Sequence, residues 1–279
     1  MSAVPATEAA APEGWRAGLE LGFAATGSGK TLLARRRHHG PLAVQRPFHP
    51  EGGVCHVYVL HPPGGVVAGD RLSIRVEADP GAAALVTTPA AGKFYRSAGP
   101  LARQSVALTI APGAALEWLP QETIVYQGAR VASTTRVDLR EGARFLGWEV
   151  LALGRPAAGE GFEAGEAGLD WRIDLEGQPL YLERLVLDPW AFRAHWGLRG
   201  RAALGTLFAY PATAAQLDTV RGLVGDRPDL GVSLIEGLLI CRGLDARADV
   251  LRRFFEQVWA ALRPGVMGRP ACPPRIWAT

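Results

Sequence analysis

Between residues 53 and about 210 the chain is built from short runs in which apolar and polar residues alternate one for one. Leu72, Ile74 and Val76 are interleaved with Arg71, Ser73, Arg75 and Glu77; Val106, Leu108 and Ile110 with Ala107 and Thr109; Leu169, Trp171, Ile173 and Leu175 with Asp170, Arg172 and Asp174. A period of two puts one face of each run in a core and the other outside, the mark of a half-buried strand. Turn signals separate the runs at Asp79-Pro80-Gly81, Ala111-Pro112-Gly113, Glu141-Gly142-Ala143 and Glu176-Gly177-Gln178. Strands so closely spaced predict a sandwich, a barrel or a β-helix, and periodicity alone leaves all three open.

Helical periodicity enters late. Thr213 and Gln216 have the spacing of a capping box, followed by Leu217, Val220 and Leu223 on one face and Gly225 as a stop. A second helix is predicted over Ala248–Arg263, with Val250, Leu251, Phe254, Phe255, Val258, Trp259 and Leu262 at three and four, closing at Pro264-Gly265. Its stripe serves the chain's own core or docks another protein's helices. Gly231 to Gly243 reads as one buried strand, and Trp277 in the Pro-rich tail from Pro270 to Thr279 would be costly to leave unpacked. The expected organisation is a disordered tail over residues 1–14, then one domain over 15–279, β to about 210 and α/β from 211.

With 279 residues and 48% hydrophobic content the chain can bury a sizeable core. The 30 Lys plus Arg against 27 Asp plus Glu leave a net charge of only +3, a weak argument for a polyanion partner. Cys55, Cys241 and Cys272 are odd in number and lack C-x-x-C spacing, which suits a reducing cytosol and argues against structural zinc. No run approaches eighteen apolar residues and the start lacks a signal-peptide pattern, so a soluble cytoplasmic protein is expected, with no membrane partner.

Thr26-Gly27-Ser28-Gly29-Lys30-Thr31 invites a phosphate-loop reading, and a P-loop phosphotransferase using Lys30 and Thr31 is the enzyme alternative. Ala24 stands where the first glycine belongs, and the strand–helix alternation of nucleotide-binding folds is missing, so a Gly-rich hairpin turn is favoured. Arg35 to His39 lacks the interleaved aromatics of a nucleic-acid site and reads as a solvated or protein-contact face, disfavouring an RNA-binding module. No H-E-x-x-H or G-x-S-x-G occurs, so catalysis has no evident carriers. Acids in apolar surroundings draw notice instead: Glu117, Glu122, Glu149 and Glu183, the last predicted to point inward unless Arg184 does. A buried carboxylate must be paired or hydrated, and Arg184 or Lys93 is the expected partner of Glu183.

The segments GPLAVQRPFHPEG, CHVYVLHPPGGVVAGDRLSI, TTPAAGKFYRS, LEWLPQETIVY and the terminal PRIWAT, in that order, resemble the UreD (UreH) family of urease accessory proteins. The resemblance implies a mainly β, stacked-strand (β-helix-like) body with two C-terminal helices, and a non-enzymatic chaperone scaffold. It further implies that the chain bridges apo-urease to UreF-like and UreG-like proteins and conducts nickel, bound transiently, with no permanent cofactor. The α-helix at 248–263 and the tail are then candidates for the UreF-like contact. Ions handed onward need weak oxygen donors in preference to a thiolate cage. Asp70, Glu122 and Glu183 are the candidate passage acids, with His56 and Cys55 as further candidates.

Overall fold

The computed structural model describes residues 14–278. Residues 1–13 of the expected tail lie outside the described residues, whereas Gly14 already lies against Gly69, so closely that a Cβ on it would meet the Gly69 carbonyl carbon at 2.2 Å. The chain opens with a hairpin of β1 (Arg16–Ala25) and β2 (Thr31–His39), followed by the short β3 (Ala43–Val44) and by β4 (Cys55–Leu60). Then come β5 (Arg71–Ala78), β6 (Ala83–Thr87), β7 (Gly92–Phe94), β8 (Ala102–Ile110), β9 (Ala115–Leu119), β10 (Thr123–Val125), β11 (Arg130–Leu139) and β12 (Arg144–Leu153). The last part holds β13 (Glu166–Leu175), β14 (Gln178–Leu187), α1 (Pro189–Arg193), β15 (Ala203–Tyr210), α2 (Ala214–Val224), β16 (Leu230–Ile235), β17 (Leu238–Asp245) and α3 (Ala248–Met267).

The alternating runs become rungs of a coil. The predicted turns at Asp79, Ala111 and Glu141 each carry the chain from one sheet to the other, β5 to β6, β8 to β9 and β11 to β12. Successive strands within a sheet are therefore parallel, β5–β8–β11–β13 on one side and β4–β6–β9–β12 on the other. The result is a seven-stranded sheet, β14-β13-β11-β8-β5-β1-β2, facing a ten-stranded one, β16-β17-β15-β12-β9-β6-β4-β3 with β7 and β10 attached. Of the three architectures left open by periodicity, this is the β-helix-like stack.

Apolar residues of the strands fill the space between the sheets, from Leu19 and Phe23 through Val76, Leu108 and Val137 to Ile173. A second apolar layer lies between the ten-stranded sheet and the helices, where Phe255, Val258, Trp259 and Leu262 of α3 meet Leu146, Trp148 and Leu207. Apart from Val250, which is exposed, the α3 stripe thus packs on the chain's own sheet, the first of its two expected uses. Glycines make room for it. Gly205 and Gly243 are cross-strand partners, and a Cβ on either would come within 2.6 Å of the Phe255 or Leu251 side chain.

Two local expectations are corrected. Residues 231–243 are a hairpin, β16 and β17, folded at Glu236-Gly237, because both turn residues adopt positive φ (47° and 80°). The last helix passes through Pro264-Gly265 and ends at Gly268, because Val266 and Met267 bury their side chains and tertiary packing outweighs the bond lost at proline. The α2 boundaries match the capping-box reading, with Gln216 Oε1 accepting from Thr213 N–H at 2.7 Å. The short α1 carries no periodic signal and starts on an Asp188 cap, whose carboxylate accepts from Ala191 N–H at 2.7 Å.

Candidate functional site: an acid-lined passage between the sheets

Gly29 turns the chain from β1 into β2, with Gly29 N–H bonded to Thr26 O at 2.9 Å and Thr26 N–H to Lys30 O at 2.8 Å. A strand and not a helix follows Lys30, so no helix N-terminus is offered to a phosphate. The hairpin-turn reading stands.

A cavity of about 290 Å³ with polar groups in its lining lies between the two sheets. Leu72, Ile74 and Val106 of one sheet and Val59 and Trp118 of the other wall it, and His61, Thr88, Lys93 and Gln121 also belong to its lining. Trp171 and Glu149 line it as well. Glu149 and Trp171 also line a neck of about 10 Å³ together with Glu183 and Thr206. Glu183 and Trp171 continue into an open groove of about 440 Å³ with Asp170, Arg172 and Arg184. Two carboxylates thus stand at consecutive stations of a line running from the interior to the surface.

The strand register creates this arrangement. Trp148 and Val150 of β12 turn toward the helices, so Glu149 must turn between the sheets. Its backbone neighbour across β15 is Thr206, whose neighbour on β17 is Arg242. On the facing sheet Trp171 and Glu183 are cross-strand partners. Trp171 Nε1–H donates to Glu149 Oε2 at 2.9 Å. Arg242 reaches across to Glu183 and to the Tyr181 hydroxyl, so an ion pair joins the two sheets where the neck opens.

Burial raises the Glu149 carboxyl to about 7, the Trp171 hydrogen bond opposing and the negative charge of Glu183 adding to the rise. The group therefore passes between acid and carboxylate near neutral pH. Burial also lowers the His61 pKa against the pull of Asp70, leaving an imidazole nitrogen able to accept or ligate.

The five residues singled out in the sequence are not brought together. Glu183 lines the neck, paired with Arg242 in place of the expected Arg184 or Lys93; Arg184 points outward to Asp170 at 2.8 Å, while Lys93 lines the larger cavity. Asp70 is buried and closes a turn, accepting from Trp15 N–H at 2.7 Å and Val67 N–H at 3.0 Å. Glu122 pairs with Arg252 of α3 at 3.3 Å. Cys55 is fully buried, and burial pushes its thiol up to about 11, so it does not present a thiolate. His56 Nε2 meets Glu51 Oε1 at 2.6 Å.

That last contact belongs to a buried ionic cluster. Arg263 of α3 holds Glu51 (Nη2 to Oε1, 2.6 Å) and Glu117 (Nη2 to Oε2, 2.9 Å), while Trp259 Nε1–H donates to Glu117 Oε1 at 2.6 Å. Burial alone would raise Glu51, but His56 and Arg263 override it and hold its carboxyl at about 2. Burial likewise opposes the charge on Arg263, and its two carboxylates still raise its pKa. Arg263 could have been noticed in the sequence, since it follows Trp259 by four on an apolar stripe. Glu149 was visible as an acid in apolar surroundings but was not among the passage acids. Among the described residues no three His, Cys, Asp or Glu side chains gather as a metal-holding group, and no helix is long and apolar enough to cross a membrane.

Comparison with known proteins bears on the whole chain. The family model described as "UreD urease accessory protein" matches residues 16–278. The urease accessory protein UreD of Pseudomonas putida (strain W619) is 47% identical over 267 residues, covering 95% of each chain. That of Alkalilimnicola ehrlichii is 47% identical over 272 residues, covering 95% of this chain and 92% of the relative. That of Dechloromonas aromatica is 43% identical over 293 residues, covering all of this chain and 99% of the relative. This two-sheet coil with helices packed on one sheet, matched by the family model from residue 16 to 278, belongs to the UreD family of urease accessory proteins.

Proposed function

We propose that the protein is a maturation scaffold that bridges apo-urease to UreF-like and UreG-like partners and lets nickel cross its interior toward the urease active site. The observation that carries this reading is the line of cavities between the sheets with Glu149 and Glu183 at successive stations. Nickel is cargo here. Carboxylate oxygens, an imidazole such as His61 and water hold such an ion loosely, and the buried protonated thiols of Cys55 and Cys241 do not trap it. Conduction needs sites that attract and release, and a carboxyl that changes charge near neutrality meets both demands. Asp70 contributes by shaping the loop before β5, and Glu122 by anchoring α3.

The test is nickel-dependent urease activation in cells co-expressing the UreF-like and UreG-like proteins, with Glu149→Gln and Glu183→Gln variants. Both variants should still co-elute with the partners, and activation should fall at least tenfold in the double variant. Full activation by a co-eluting double variant would remove the conduit reading. The phosphotransferase alternative finds no support in the hairpin at residues 26–31.

A further inference from the structure

Among the described residues both long helices pack on the ten-stranded sheet, and neither covers the outward face of the seven-stranded one. Its outward positions are read from the register. Arg16, Arg71 and Arg103 stand abreast on β1, β5 and β8, and Arg37 and Arg75 flank Glu20 two rows further. The side chains of Arg37, Arg71, Arg75 and Arg103 are exposed and form no ion pair among the described residues. Like charges directly opposite one another destabilise a sheet, so the cross-strand pair Arg71 and Arg103 carries a cost.

The surface between them is low. Ser73, Ser105 and Thr134 form a row of short hydroxyl side chains across β5, β8 and β11. The His39 and Arg35 side chains lie flat over Gly18 and Gly22, where a Cβ would come within 2.2 and 2.8 Å of them. Seven strands at about 4.8 Å spacing, each about 25–30 Å long, present on the order of 800 Å², the area one partner contributes to a standard protein interface.

We propose that this outer sheet face is a docking surface for a folded protein that presents a carboxylate-rich patch. Arginine serves such contacts well because its planar fork pairs with carboxylates in two-point fashion. A row of aromatic platforms, which single-stranded nucleic acid would require, is absent from these positions. The inference rests on the maturation reading, in which the chain meets assembled protein partners.

The experiment measures binding of the full chain to two probes, purified apo-urease and the UreF-like/UreG-like complex, by biolayer interferometry from 50 to 300 mM KCl. Wild type should bind one of them with an affinity that falls with salt. Arg75→Glu/Arg103→Glu should weaken that binding at least tenfold, and Arg75→Gln/Arg103→Gln should weaken it less and flatten the salt dependence. Arg140→Glu/Arg221→Glu, an equal charge change elsewhere, should stay within twofold of wild type. Unaltered binding by the two Arg75/Arg103 variants would overturn the surface and leave the maturation reading standing. Failure of wild type to bind either probe would overturn both. Retention of poly(U) that only the Arg75/Arg103 variants lose, with protein binding intact, would overturn the proposal in favour of nucleic acid.

Discussion

Glu149 shows how one alternation in a strand sets a chemical property. Its neighbours Trp148 and Val150 face the helices, so the carboxyl is left between the sheets, where burial raises it to about 7. The folded state then binds a proton that the unfolded state, with an ordinary carboxyl near 4.5, has already released, so stability falls as pH rises from about 4.5 to 7. The full difference is on the order of 3 kcal/mol. Urea unfolding at pH 5, 6, 7 and 8 should show this loss in wild type and a much smaller one in Glu149→Gln, which keeps the acceptor for Trp171. An identical pH dependence in the two proteins would show that the group is not buried as described. Glu51 has the opposite sign. Its carboxyl is held at about 2, so the stability it contributes is present above about 4.5 and is lost as pH falls toward 2.

At the scale of elements, α3 is seated by two devices of different kinds. Arg263 holds Glu51 and Glu117, and removing it leaves the buried Glu117 without a cation and Glu51 with His56 alone. Arg263→Ala should therefore cost about 3–5 kcal/mol in urea unfolding. Glu117→Gln introduced on top should cost less than it does alone, because the charge that needed Arg263 is gone. The second device is space. Gly205 and Gly243 let Leu251 and Phe255 approach the sheet backbone, so Gly205→Val should cost about 1–3 kcal/mol and speed proteolysis of α3. The tail is held with the helix, as Trp277 packs against Trp148 and Trp259 at 5.5 Å between ring centroids and donates to Thr87 Oγ1 at 3.0 Å. That leaves the apolar part of α3 inside the molecule and an outward face carrying ion pairs such as Arg253 with Asp249. A partner contacting this helix meets charge and not the stripe.

For the whole molecule, the line of cavities lies in the interior of a coil of parallel strands, between its two sheets. The neck beside Thr206 is only about 10 Å³, so Thr206→Leu should block it. Urease activation by this variant should fall severalfold while thermal unfolding stays within a few degrees of wild type; unchanged activation would place the route elsewhere. Much of the architecture was legible in the chain, because period-two alternation and Pro-Gly turns act locally and are written into neighbouring residues. The strands at 71–78, 102–110 and 166–175, the α2 cap and the hairpin at Gly29 all follow from such signals. The residues of the buried cluster and the passage were legible only as anomalies, acids and an arginine in apolar surroundings. Which of them meet depends on pairings between residues as distant as Glu51 and Arg263, 212 positions apart, and Tyr181 and Arg242, 61 apart. The sequence by itself determined that these strands have one wet and one dry face. Only the tertiary structure decided that Glu149 and Glu183 share a line of cavities while Asp70 and Glu122 support it from elsewhere, because inter-sheet register is set by packing across the core and not by any local preference.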